Sequence, residues 1–195
     1  MPISLSKGQK ISLSKEDPGI THLMVGLGWD TNRYDGGYDF DLDASAFLLG
    51  ANHHVTNDSD FVFYSNTTHP SRSVIHSGDN RTGAGEGDDE VIKVDLSLVP
   101  PNIERIEFTV TIYDSVKRGQ TFGMVSNAYI RVVNDDTGKE VCRFDLGEDF
   151  SQQTAVVAGA IYRRGAEWRF DAIGSGYDGG LAALCASYGL DVQGE

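Results

Sequence analysis

Two short stretches of this sequence hold carboxylates packed closely enough to do chemistry together. Asp30, Asp35, Asp39, Asp41 and Asp43 fall within residues 30–43, and Asp79, Glu86, Asp88, Asp89 and Glu90 within residues 79–90. Arg33 and Arg81 are the only basic residues among them. Carboxylates this close repel one another unless solvent or a cation intervenes. In an extended segment Asp39, Asp41 and Asp43 alternate onto one face, opposite Phe40 and Leu42, and so line one edge. Around the second group, Gly78, Gly83, Gly85 and Gly87 let the backbone fold tightly and turn its carbonyls inward. Asn80 and Thr82 add side-chain oxygens. A hard cation takes about six to eight oxygens from such a mixture of side chains and backbone.

Ca²⁺ suits these loops better than Mg²⁺, because glycine-rich backbone adapts to irregular coordination while Mg²⁺ demands a tight octahedron. Zinc would prefer cysteine and histidine. His53, His54, His69 and His76 show no ligand spacing with Cys142 or Cys185 and are expected at the surface or in loops. The site is not an EF-hand. Counting from Asp79, Arg81, Gly83 and Ala84 occupy positions that need an oxygen donor or the turn glycine; counting from Asp39, Ala44 and Gly50 fail in the same way.

Carboxylates can also catalyse. Alternating acids on a strand occur in glycoside hydrolases, where one attacks and another donates a proton. Here all three are Asp, the aromatic company is limited to Trp29, Tyr34 and Tyr38, and residues 78–90 would go unexplained. No serine or cysteine sits in a nucleophile motif, and no enzymatic activity is expected. Gly174-Ser-Gly176-Tyr-Asp-Gly179 matches a dinucleotide fingerprint, but too little chain follows it for the second strand of a βαβ unit. It reads as a glycine-rich turn from strand to helix.

The elements that must carry these acids are strands. Apolar runs of strand length occupy 22–29, 41–49, 60–64, 73–76, 91–96, 105–113, 128–133, 140–146, 154–162 and 167–173. Turn residues separate them, among them Asp35-Gly36-Gly37, Pro100-Pro101-Asn102 and Asn134-Asp135-Asp136-Thr137-Gly138. Residues 3–7 echo residues 11–15 across Gly8-Gln9, suggesting a hairpin or two sequential short strands. Residues 181–188 are the best helix, and 115–119 suit a helical turn. The pattern predicts an all-β fold, an antiparallel β-sandwich of about ten strands with minor helical segments, one near the C-terminus. Nothing divides residues 1–195, which are expected to form a single domain.

Composition agrees. The chain has 195 residues, 23 of them Gly, with a net charge of −13. That charge disfavours nucleic acid as a partner. No apolar run is long enough to span a bilayer, so no direct membrane insertion is expected. The N-terminus lacks a signal-peptide pattern and two cysteines make no disulfide framework, which points to the cytoplasm.

Seven motifs stand out along the chain: Ser4-Leu-Ser-Lys-Gly8, Val25-Gly-Leu-Gly-Trp-Asp30, Asp39-Phe-Asp-Leu-Asp-Ala-Ser45, Gly78-Asp-Asn-Arg-Thr-Gly83, Gly87-Asp-Asp-Glu90, Phe122-Gly-Met-Val-Ser-Asn127 and Gly176-Tyr-Asp-Gly-Gly-Leu181. Together they resemble the TerD family of tellurium-resistance and general-stress proteins. Glu86 stands where many relatives have Asp, keeping the charge and adding one methylene of reach. The resemblance implies a β-sandwich that binds Ca²⁺ at two neighbouring sites without catalysis. Carried over by position, it implies Asp30, Asp39, Asp41, Asp79, Asp88, Asp89 and Glu90 as ligands, with Asp43, Asn80 and Glu86 as further candidates. It also implies work beside other tellurium-resistance proteins, including a membrane-embedded one, against oxyanion, phage or colicin stress.

The expected function is therefore a Ca²⁺-dependent scaffold or sensor in bacterial stress response, holding about two ions. Two alternatives stand beside it: a Ca²⁺-dependent membrane-surface module and a carboxylate-based glycoside hydrolase. Exposed apolar tips and basic patches would support the first, and the sequence shows few of either.

Overall fold

The computed structural model describes residues 1–31, 40–77, 87–146, 150 and 152–191. In chain order the elements are β1 (Ile3–Leu5), β2 (Lys10–Ser12), α1 (Leu13–Glu16), β3 (His22–Thr31), β4 (Leu42–Leu49), β5 (Phe61–Val62), β6 (Val74–His76), β7 (Glu90–Asp95), β8 (Arg105–Ile112), α2 (Ser115–Arg118), β9 (Val125–Asn134), β10 (Glu140–Asp145), β11 (Ala155–Arg164), β12 (Glu167–Tyr177) and α3 (Gly180–Ser187). Short 3-10 turns cover Asp58–Asp60 and Phe122–Met124. Each of the ten apolar runs holds one strand, and the helix and the helical turn lie where the pattern puts them.

The strands form two six-stranded sheets, ordered β1-β10-β9-β3-β7-β6 and β2-β12-β11-β8-β4-β5. Every pairing is antiparallel except β1 with β10. Alternation assigns the faces. Leu23, Val25, Leu27 and Trp29 of β3 meet Leu42, Ala44, Ala46 and Leu48 of β4 in one core between the sheets. β4 is buried on both faces because its other side, Phe47 and Leu49, joins Leu184, Cys185 and Tyr188 in a second cluster beneath α3. Cys142 and Cys185 are free and buried, and burial pushes both thiols up, to about 12 and about 11.

The opening echo is not a hairpin. β1 joins one sheet and β2 the other, and Gly8, in the left-handed region at φ 80°, makes the turn between them. The second half of the echo also leaves the strand early: Leu13 turns into α1 and is fully buried. There Trp168 N–H donates to Ser14 Oγ (3.0 Å) in place of a ladder carbonyl. Among the described residues, no helix is long and apolar enough to cross a membrane.

Candidate metal-binding end of the sandwich

The acids are placed first by a bulge. The register of β3 against β9 shifts between Gly28 and Asp30, which takes the Trp29 N–H off the ladder. Asp89 Oδ2 accepts that N–H at 2.8 Å, while the Asp89 N–H donates to Leu27 O at 2.8 Å. The Trp29 side chain is buried, and its successor Asp30 is exposed. Asn127, itself left-handed at φ 52°, donates from Nδ2 to Asp30 Oδ2 at 2.7 Å. Trp29 and Leu42 line one small cavity with Val110, Phe122 and Phe150, so Asp30 and Asp41 stand at the same end of the sandwich. The Asp41 carbonyl accepts from Tyr113 N–H at 2.9 Å.

Burial holds the Asp89 carboxyl above the usual carboxylate range. The Trp29 N–H works against that shift, and the neighbouring charges of Asp30, Asp88 and Glu90 add to it.

The three consecutive acids 88–90 diverge. Asp88, with its side chain only 5% exposed, lies over Gly26 and receives Arg131 Nε (2.8 Å) and Nη2 (2.8 Å) and the Tyr129 hydroxyl (2.9 Å). Arg131 also reaches Glu140 at 2.9 Å. Burial, then Asp88, pushes the Tyr129 phenol up to about 12. Asp89 turns to the bulge. Glu90 pairs with Leu27 across β3 and β7 and is 1% exposed; its Oε2 lies 2.9 Å from His76 Nε2.

Asp43 is buried too. It sits opposite Thr111 on the face of β4 that carries Ser45 and Phe47, outside the inter-sheet core. Asp39, Asp79, Asn80 and Glu86 lie outside the described residues, so the full edge of three aspartates does too. Among the described residues, no group of three or more Asp, Glu, His or Cys side chains is placed to hold one metal ion. What the fold brings together is Asp30 and Asp89 at the bulge, with Asp41 beside the same cavity.

The basic and neutral residues that answer these acids, Arg131, Tyr129 and Asn127, are distant in sequence from them. Their signal is the pair of glycines in Val25-Gly-Leu-Gly-Trp29. A Cβ on Gly26 would lie 2.3 Å from Asp88 Cγ, and one on Gly28 would lie 2.4 Å from the Tyr129 ring. Two histidines also depart from expectation. His69 and His76 are buried, because each has a carboxylate to face: His69 Nε2 meets Asp60 Oδ1 at 3.0 Å, as His76 meets Glu90. His69 Nδ1 accepts the Ser71 N–H (3.1 Å) inside the tight turn that Arg72 N–H closes on His69 O. Gly174 and Gly176 still belong to β12, which ends at Tyr177, so the strand-to-helix turn is narrower than the glycine spacing suggests and consists of Asp178 and Gly179 before α3 begins at Gly180.

A TerD domain model matches residues 1–188. General stress protein 16U of Bacillus subtilis is 57% identical over 192 residues, covering 98% of this chain and all of the relative. The tellurium resistance protein TerD of Serratia marcescens is 55% identical over 193 residues, covering 99% of this chain and all of the relative. The crystal structure of a homologue of telluride resistance protein from Streptomyces coelicolor superposes with a TM-score of 0.69 at 24% identity, over 86% of this chain and 96% of that one. At that identity the match speaks for the fold alone.

Proposed function

Because this chain belongs to the TerD domain family, we propose that it is a non-catalytic calcium-binding protein acting as a Ca²⁺-dependent scaffold or sensor in bacterial stress response. The relatives named for general stress and for tellurium resistance support the stress-response setting; other tellurium-resistance proteins as partners and the cytoplasm as compartment are part of the same proposal.

The observation that carries the metal reading is the bulge of β3, where the Asp30 and Asp89 carboxylates are oriented by Asn127 and by the Trp29 N–H while their mutual charge works to raise Asp89. The donor set here is carboxylate oxygen without thiolate or imidazole, which fits a hard cation. Asp30, Asp41 and Asp89 would hold the metal together with Asp39, Asp79, Asn80 and Glu86. Bound calcium supplies positive charge that offsets the carboxylate repulsion. Arg131 and His76 hold Asp88 and Glu90, anchoring the C-terminal side of the second acidic segment to the first sheet. Asp43 stands across β4 from the inter-sheet core. A partner would then read the metal-dependent state of this end.

Calorimetric titration of Ca²⁺ into chelator-stripped protein, with excess Mg²⁺ present, tests the reading. About two sites tighter than roughly 10⁻⁵ M, the range of calcium sensors, are expected, and Asp89→Asn should weaken binding. Absence of any calcium heat would sink it.

A further inference from the structure

Asp178 and Gly179 make up the whole connection between β12, which ends at Tyr177, and α3, which begins at Gly180. The fold demands glycine at the second position. Gly179 stands at φ 92°, a left-handed conformation that side chains resist, and a Cβ there would lie 3.0 Å from Ala183 Cβ. Both residues are exposed. Hydrogen bonds hold the chain on either side of them. Thr154 N–H donates to Tyr177 O at 3.1 Å, and Gly180 N–H donates to Thr154 Oγ1 at 3.0 Å. Between those anchors, and among the described residues, neither the Asp178 carboxylate nor the Gly179 N–H has a hydrogen-bond partner.

A carboxyl carbon and the amide nitrogen that follows it therefore lie together in water, with no side chain on Gly179 to shield the nitrogen. In a helix or strand the ladder would engage that N–H and lock the torsions around it. The other Asp-Gly pair of the sequence, Asp35-Gly36, lies outside the described residues.

We propose that Asp178 is a modification site at which the backbone rearranges from an aspartyl to an isoaspartyl link. The Gly179 nitrogen attacks Asp178 Cγ. An N–Cγ bond forms, the nitrogen gives up its proton, and one carboxyl oxygen leaves as water. The product is a five-membered imide. Water then adds to one imide carbonyl and breaks its bond to nitrogen. Opening at the main-chain carbonyl routes the chain through Cγ and leaves a free carboxylate on Cα. One water leaves and one returns, so no co-reactant is needed and nothing is oxidised.

The place of this link gives the change a wider effect. α3 covers the second cluster with Leu184 and Cys185, both fully buried, and Tyr188 follows it into the same cluster. An extra backbone methylene in a two-residue connection pushes Gly180 away from Thr154, and α3 loosens over the cluster. The site is independent of the calcium reading, since neither residue is a candidate ligand.

Ageing the full chain at neutral pH and physiological temperature, then mapping its peptides by fragmentation mass spectrometry, tests the proposal. Isoaspartate is expected to accumulate at position 178 and to accept a methyl group from S-adenosylmethionine through an isoaspartyl methyltransferase. Asp178→Glu should abolish it, because the ring would need a sixth member. Asp178→Asn should speed it several-fold, because an uncharged amide is attacked more readily than a carboxylate. Freshly made variants should protect Cys142 and Cys185 from a thiol reagent as wild type does, which checks their fold. In aged wild type Cys185 should become reactive in step with isoaspartate, while Cys142, in β10 of the other sheet, stays protected. An unchanged Asp178 after ageing, or Asp178→Asn rearranging no faster than wild type, would overturn the site. Cys185 remaining protected in the rearranged fraction would overturn the loosening of α3.

Discussion

The Asp88 carboxylate and the Arg131 guanidinium meet over Gly26, with Nε and Nη2 each 2.8 Å from a carboxylate oxygen. The pair joins the start of β7 to β9 across β3, and Tyr129 closes it from the side. A two-pronged, charge-assisted contact fixes orientation as well as distance. It therefore holds the C-terminal side of the second acidic segment in one place on the sheet.

Arg131 is 27% exposed and Asp88 only 5%, so the pair lies between a surface and a buried ion pair. Asp88→Asn and Arg131→Leu should each destabilise the fold by about 1–2 kcal/mol, with a coupling energy of about 1 kcal/mol in a double-mutant cycle. Urea denaturation of the four proteins measures it. Strict additivity would mean that the contact contributes nothing as a pair.

Gly26→Ala should behave like loss of that pair. Its Cβ would occupy the space of the Asp88 carboxylate, costing about 1–3 kcal/mol through displaced packing and a lost charged hydrogen bond. In an Arg131→Leu background the same substitution should cost less, because Asp88 is then free to move. Equal costs in both backgrounds, read from the same denaturation curves, would show that the crowding lies elsewhere.

Asp89→Asn is expected to change sign with the buffer. The amide oxygen can still accept the Trp29 N–H, while one charge leaves the company of Asp30, Asp88 and Glu90. In chelator the melting temperature should rise by about 2 °C, corresponding to roughly 0.5–1 kcal/mol. In saturating calcium the stabilisation gained from metal should shrink. A variant less stable than wild type in chelator would count against carboxylate crowding at the bulge.

Asp60 supplies a pH dependence. Burial works to raise its carboxyl, but hydrogen bonds from His69, Thr56 and Asn57 outweigh that and hold it below the usual range. A folded-state pKa below the unfolded value of about 3.9 contributes stability that is complete above that value. The contribution is lost as pH falls through the lower folded value. Stability of wild type minus that of Asp60→Asn, followed by denaturation from neutral to acidic pH, should be constant above about pH 5 and shrink below about pH 4. A difference that does not change with pH would refute the assignment.

Tyr188 ties the second cluster to the outer face of its sheet. Its hydroxyl donates to Glu107, which also receives Arg105 Nε at 2.6 Å. Burial first, then Glu107, lifts the Tyr188 phenol far above the ordinary tyrosine range. Ultraviolet titration should show at least two tyrosines, Tyr129 and Tyr188, that fail to ionise with the exposed ones, and Tyr188→Phe should lower that number by one. The same variant should cost about 1–2 kcal/mol, since the half-buried Glu107 loses a donor beside the cluster.

Much of the architecture was legible in advance. Strand alternation, Gly and Pro turn chemistry and the absence of long helical periodicity are local signals, and they located ten strands and α3 closely. The opening echo left a hairpin and two sequential short strands both open because its halves look alike, and the partners that decide between them, β10 and β12, are far along the chain and in different sheets. His69 and His76 misled for a related reason: a histidine's burial depends on the carboxylate it meets, and neither Asp60 nor Glu90 is its neighbour in sequence.

Periodicity and composition act within a few residues, so the extended segments and the places where negative charge is crowded can be read locally. Which of the crowded carboxylates find a partner depends on contacts between distant strands. Asp88 meets Arg131 from 43 residues away, Asp89 meets the Trp29 N–H from 60 residues away, and Glu90 turns inward to His76. Such pairings follow from strand order and from a bulge in β3, and no local pattern encodes either. Three adjacent acids of one chemical type therefore take three different partners once the sheets assemble.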